Sequence, residues 1–203
     1  MPRIIEHEQP PKQVFGLATP ADVLLKLYWE IAQLKKALEP SDDYRIEGTA
    51  IYHAFNCGVT SWHISDWAWE ALSKSYRQEL VRSQGNDLSV DSQKALYKFQ
   101  ELIREKHRPL HICWQIATGS KHRNIRNPDP LIRVEEVWIN QSVAGRMRAG
   151  QPLGWHTQEL FVYDGGEREP ALDVFERAAN CWAEELRSWG FLEDRFISSS
   201  RDE

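Results

Sequence analysis

From Thr49 to Leu80 the chain contains no proline and keeps a helical period, and the two sides of that helix constrain the fold more than any other stretch. At ~100° per residue, Thr49, His53, Asn56, Thr60, His63 and Glu70 share one narrow arc. Ile51, Phe55, Gly58, Trp62, Trp69, Leu72 and Tyr76 occupy the opposite arc. Tyr52, Cys57, Val59, Ile64 and Trp67 lie between them, so apolar residues flank the polar stripe as well. Imidazole, amide and hydroxyl groups with apolar neighbours are expected inside a protein, hydrogen-bonded or functional.

The neighbouring segments supply helices to pack around this one. Thr19-Pro20-Ala21-Asp22 is a helix start, with a hydroxyl cap, proline at the first helical position and an acid in the first turn. Val23, Leu27, Ile31, Leu34 and Leu38 follow at helical spacing, and Pro40 closes the run. Gly85-Asn86 is a turn signal, after which Asp91 or Ser89 is the expected cap of a helix with Ala95, Leu96, Phe99, Leu102 and Ile103 on its core side. Pro109 ends that helix and opens the next, Leu110 to His122. From Leu131 to Tyr163 the helical period gives way to β-branched and aromatic residues, predicting strands near 132–139, 142–149 and 156–163. A last helix runs from Pro170 to Gly190 on the stripe Leu172, Phe175, Ala178, Ala179, Trp182, Leu186 and Trp189.

The predicted fold is mainly α, a bundle of about five helices with a small antiparallel β-sheet inserted before the last. The expected organisation is an extended arm over 1–18, one helical domain over 19–192 with its β insertion at 131–163, and a flexible tail over 193–203. A length of 203 residues with 41% apolar and 27% charged content suits a single soluble domain. A net charge of −5 argues against a generally basic nucleic-acid binder but leaves room for a local basic patch. No apolar run approaches the ~20 residues of a membrane span, and the first residues carry no signal-peptide core. Cys57, Cys113 and Cys181 form no C-x-x-C pair, which reads as reduced thiols in the cytoplasm and not as a zinc site.

Two polar stripes carry the candidate chemistry. In the segment Leu110 to His122, His111, Gln115, Thr118 and His122 recur on one face. His53 and His63 are ten residues apart and His111 and His122 eleven, so each pair spans roughly 15 Å. Antiparallel packing would bring His53 toward His122 and His63 toward His111 along a shared seam with Asn56 and Gln115. The bland counterpart is a satisfied buried network that fixes helix register. Ser120-Lys121-His122-Arg123-Asn124-Ile125-Arg126 gathers cations at a helix end, where Lys121, Arg123 and Arg126 would hold a phosphate or offset the helix dipole. His53, His63, Asp66 and His122 are the nearest approach to a metal-dependent hydrolase, but carboxylates are scarce and no H-x-x-x-H or H-E-x-x-H occurs. Cys57 and Cys113 lie mid-helix among apolar residues, where thiols are inert. No metal or other cofactor is expected.

The run Arg104-Glu105-Lys106-His107-Arg108-Pro109-Leu110-His111 places an Arg and a His with six residues between them within a helical bundle. In this it resembles the HEPN superfamily, helical ribonucleases and nucleotide-binding proteins of prokaryotic toxin and defence systems. Glu105 stands where that family usually has an amide or His, and Pro109 interrupts the segment. The resemblance implies a homodimer in which Arg104 and His111 cut RNA without a metal, leaving a 2′,3′-cyclic phosphate. It also implies His as acid or base and Arg as the stabiliser of the phosphorane charge. The expected function is therefore a cytoplasmic HEPN-like protein acting on RNA or nucleotides, with His63, His111, His122 and Arg104 catalytic. His53, Asn56, Lys121, Arg123 and Arg126 would bind substrate. The alternatives are a non-catalytic interaction module that docks a protein partner through 131–163 and a metal-dependent hydrolase.

Overall fold

The computed structural model describes residues 15–39, 48–85, 88–121, 125, 128–140 and 156–193, with the side chains of Asn140 and His156 excepted. Six helices and a three-stranded antiparallel sheet follow in the order α1 (Pro20–Leu38), α2 (Ala50–Ala71), α3 (Lys74–Ser83), α4 (Gln93–Lys106), α5 (Arg108–Lys121), β1 (Ile132–Asn140), β2 (His156–Asp164), β3 (Glu167–Pro170) and α6 (Ala171–Trp189). The mainly helical class and the sheet before the last helix are as the sequence predicts. None of these helices is long and apolar enough to cross a membrane. Residues 1–14 of the arm expected over 1–18, the tail beyond 193 and the strand expected at 142–149 lie outside the described residues.

Local chemistry accounts for the helix ends. Thr19 and Asp22 form a reciprocal capping box, Thr19 Oγ1 accepting from the Asp22 amide at 3.2 Å and Asp22 Oδ2 accepting from the Thr19 amide at 2.8 Å. Gly190, at φ 89°, ends α6 in the left-handed conformation that a helix C-terminus favours. The stretch expected to run as one helix to Leu80 instead divides: Leu72 turns extended, and Ser73 caps α3 by accepting from the Tyr76 amide. The cap of α4 is Ser92, whose Oγ accepts from Ala95 N at 3.2 Å, and not Asp91 or Ser89. Asp91 instead pairs with Lys74, and Ser89 accepts at its carbonyl from Ser92 Oγ.

Helix α2 is the hub and packs against α1, α4, α5, α6 and β2. Its buried residues are Ala50, Cys57, Gly58, Thr60, Ser61, Ile64, Ser65, Ala68 and Trp69. This corrects the expected facing of the helix: from the polar arc only Thr60 is buried, while Asn56, His63 and Glu70 are exposed, and Phe55 of the apolar arc is 42% exposed. Side-chain size decides much of the outcome, since seven of these nine buried residues are small and only Ile64 and Trp69 are large. A helix crowded by several neighbours turns its small residues toward them, because small side chains let backbones approach. A Cβ placed on Gly58 would stand 2.6 Å from Ile116 Cγ2 of α5. Elsewhere the core is aromatic, with Phe99 set between Trp69 and Trp189 at ring-centroid distances of 5.2 and 5.7 Å.

The sheet runs β1-β2-β3, and register pairs Ile132 with Asp164 and Asn140 with His156. Gly165 and Gly166, both at positive φ, make the two-residue turn into β3, a strand outside the three that the sequence predicts. One face of the sheet carries Val134, Glu136, Trp138, Gln158, Leu160 and Val162 toward the helices; Leu160 and Val162 are buried. The other face stacks Arg168 on Phe161 and Arg133 on Tyr163, whose hydroxyl bonds Glu135 at 2.6 Å.

Candidate functional site

A single extended residue separates α4 from α5. His107, at φ −128° and ψ 100°, closes α4 by donating its amide to Ile103, and its carbonyl accepts from the amides of Leu110 and His111. Pro109, which has no amide hydrogen, sits in the first turn of α5, where none is needed. This corner brings the last turn of α4, carrying Arg104, against the first two turns of α5, carrying Arg108, His111 and Trp114.

Trp114 is the platform of the cluster. The Arg104 guanidinium lies 4.2 Å from its ring centroid, the His111 ring 5.2 Å away and the Trp62 ring of α2 6.4 Å away. Arg104 also approaches Glu101 at 3.7 Å. Asp129, in the loop before β1, orders the other side. Its Oδ1 accepts from the Leu131 amide at 3.0 Å, and its Oδ2 accepts from Arg108 Nη1 at 2.9 Å. The same Oδ2 lies 3.1 Å from His111 Nε2, so a neutral imidazole donates there and leaves Nδ1 as the acceptor.

The charges reinforce this arrangement. Burial and the adjacent Arg108 cation hold His111 below its ordinary value of 6.5, against the opposing pull of Asp129. The Leu131 amide and Arg108 hold Asp129 low, and Arg108 does the same for Asp164 at the end of β2. A neutral, oriented imidazole beside two guanidinium groups and an indole face can accept a proton and stabilise a developing anion. Close by, buried Glu185 of α6 receives both Lys106 Nζ and, at 2.6 Å, His107 Nε2, which anchors the corner to the core.

Of the residues singled out from the sequence, Arg104 and His111 come together here. His63 is exposed on α2, within electrostatic reach of Asp66, while Asn56 and Lys121 are also exposed. His53 is half-buried, with its Nδ1 covered and without a partner among the described residues. His122, Arg123 and Arg126 lie outside the described residues. Where α2 meets α5, the contacts are Gly58 on Ile116, Ser61 at the Cys113 thiol and Trp62 against Trp114, in place of the expected line of imidazoles. Asp66 belongs to a structural bridge to α4: Gln100 Nε2 donates to Asp66 Oδ1 and Ser65 Oγ, both at 2.9 Å, and burial raises the Asp66 carboxyl. Among the described residues no three His, Cys, Asp or Glu side chains converge as metal ligands would.

Sequence reasoning missed Arg108, Trp114, Asp129 and Asp164. The three-residue spacing of Arg108, His111 and Trp114 was a signal for one face of α5. No local pattern announces Asp164, which meets Arg108 from 56 positions away. No family model, characterised relative or solved structure matches this chain.

Proposed function

We propose that the chain is a HEPN-like protein of a prokaryotic toxin or defence system, a cytoplasmic homodimer that cleaves RNA at the α4–α5 corner without a metal. The observation that carries the reading is the flanking of one indole, Trp114, by Arg104 and by a His111 ring held by Asp129. His111 Nδ1 takes the proton of a ribose 2′-hydroxyl. The 2′-oxygen attacks phosphorus, the bond to the 5′-oxygen breaks, and a 2′,3′-cyclic phosphate forms. The His111 of a second copy, entering protonated, gives its proton to the departing 5′-oxygen. Arg104 stabilises the phosphorane charge, and Trp114 offers a stacking surface for a base. Of the other expected substrate contacts, exposed Lys121 is a candidate for the RNA backbone.

The test is incubation of the purified protein with labelled tRNA and mRNA, with and without EDTA. Cleavage that persists in EDTA, ends in cyclic phosphate and disappears in His111→Ala and Arg104→Ala supports the reading. Absence of cleavage, or cleavage abolished by EDTA, overturns it.

A second reading has its own support. Leu131, Val134 and Trp138, on and beside β1, are exposed apolar residues within the segment 131–163. They favour a non-catalytic module that binds a protein partner there, with the α4–α5 cluster serving only to hold the corner. Inert behaviour toward RNA together with partner capture lost in Trp138→Ser is its signature.

A further inference from the structure

Between the inner face of the sheet and the helices lies a cavity of about 320 Å³. Ile51, Phe55, Ile116, Val134, Leu160 and Phe175 supply most of its apolar wall. That volume is roughly twice the ~150 Å³ in which an engineered apolar cavity holds benzene, which leaves room for a body of about ten carbons. It also falls within the ~300–1,000 Å³ of ordinary small-ligand sites. The cavity is open at one side, where Val134 is 60% exposed and Phe55 is 42% exposed.

The polar groups at this cavity are one-sided. Among the described residues Glu136 is the one ionisable side chain that the inner face brings to this cavity, since the neighbouring Glu135 bonds Tyr163 on the other face, and no lysine or arginine lines it. Glu136 is on the inner face and exposed, its Oε1 accepting from Gln158 Nε2 at 2.6 Å. A carboxylate at the cavity that meets only a neutral amide calls for a cationic donor. A fatty acid or phosphate head would meet repulsion here, whereas an ammonium would be bound.

We infer that this cavity is a binding site for an amphiphilic amine, its alkyl or aryl body seated between α2, α5, α6 and the sheet and its cationic head at Glu136. The site is separate from the α4–α5 corner and does not depend on the RNA-cleavage reading. Titration of the full chain with the fluorescent probe N-phenyl-1-naphthylamine reports occupancy, and decylamine, decan-1-ol and decanoate then compete below their micellar concentrations. Decylamine is expected to displace the probe at about tenfold lower concentration than decanoate. Glu136→Gln should bring that ratio close to one while leaving decan-1-ol unchanged. Val134→Trp, at an exposed position on the cavity wall, should abolish probe binding without loss of fold. Ala54→Leu, filling the wall from α2, provides the second variant should Val134→Trp lower the melting temperature. No probe binding, binding that survives both filled variants, or decanoate equal to decylamine in the wild type would each overturn the inference.

Discussion

Arg108 closes a fork on Asp164, its Nε donating to Oδ2 at 2.9 Å and its Nη2 to Oδ1, and so ties the first residue of α5 to the last residue of β2. The remaining guanidinium nitrogen reaches Asp129, whose same oxygen faces His111. One side chain thereby couples the position of the sheet to the orientation of the imidazole.

Replacing that side chain should cost little stability but disturb the site. Arg108 is 41% exposed, so solvent screens its pairs, and Arg108→Ala is expected to remove about 1 kcal/mol. For a domain of this size the melting temperature should fall by about 2–4 °C. The His111 ring resonances should shift more than those of histidines elsewhere, because Asp129 loses its fixed partner. Unchanged ring shifts in a two-dimensional NMR spectrum would contradict the coupling.

The His111 ring should titrate below 6.5, and Asp129→Asn should move it lower still, since that carboxylate favours the protonated ring. The sign for stability follows from linkage. The folded ring holds its proton less readily than the unfolded one, so above about 6.5 the group contributes nothing, and as pH falls below that value the unfolded state gains the proton first. Stability therefore declines with acidification. Urea denaturation at about pH 7.5 and 5.5 should show a larger loss for the wild type than for His111→Gln. Equal losses in the two proteins argue against a depressed imidazole.

Gly58→Ala tests the approach of α2 to α5. In an open helix alanine would gain about 1 kcal/mol over glycine. Here the added methyl would meet Ile116 at 2.6 Å, and overpacking of this kind costs about 1–3 kcal/mol. A net destabilisation is expected in equilibrium unfolding, and in a double-mutant cycle it should be smaller in an Ile116→Ala background, which lacks the clashing Cγ2. An increase in stability would place the helices further apart than described.

The thiols should be silent in the native protein. Burial pushes Cys113 up to about 12 and drives Cys57 higher still, and half-buried Cys181 is also raised. Against a colourimetric disulfide reagent at neutral pH, Cys57 and Cys113 should react only after denaturation, with Cys181 slow. Rapid native modification of either buried thiol would refute the packing of α2 on α5.

The parts of this fold legible in sequence are those set by neighbours in the chain. Thr19-Pro20-Ala21-Asp22 announced α1, and the stripe from Leu172 to Trp189 with its closing Gly190 announced α6. The break at Leu72–Ser73 was hidden because the apolar period continues across it, and only the extended backbone at Leu72 ends the helix. Helix α2 misled because hydropathy sorts its residues by polarity, whereas the crowded interfaces sort them by size. Arg104 and His111 could be picked out from spacing within one segment. Asp129 and Asp164 could not, since an acid gains its role from whichever cation the tertiary fold delivers, and no period encodes that.

The length of the Arg108–Asp164 link also bears on the order of folding. The capping box of α1 closes over three residues and the turn into β3 over two, so both can form before distant parts of the chain meet. The clasp at the corner closes a loop of 56 positions and must wait for the β1–β2 pair to exist. Helices α4 and α5 can thus be complete while Arg108, the neighbour of His111 on Asp129, still lacks the sheet carboxylate that fixes it. In hydrogen-exchange pulse labelling, amides around Leu131 and Gly165 should gain protection after those of α1, making the clasp at the α4–α5 corner one of the last things this chain acquires.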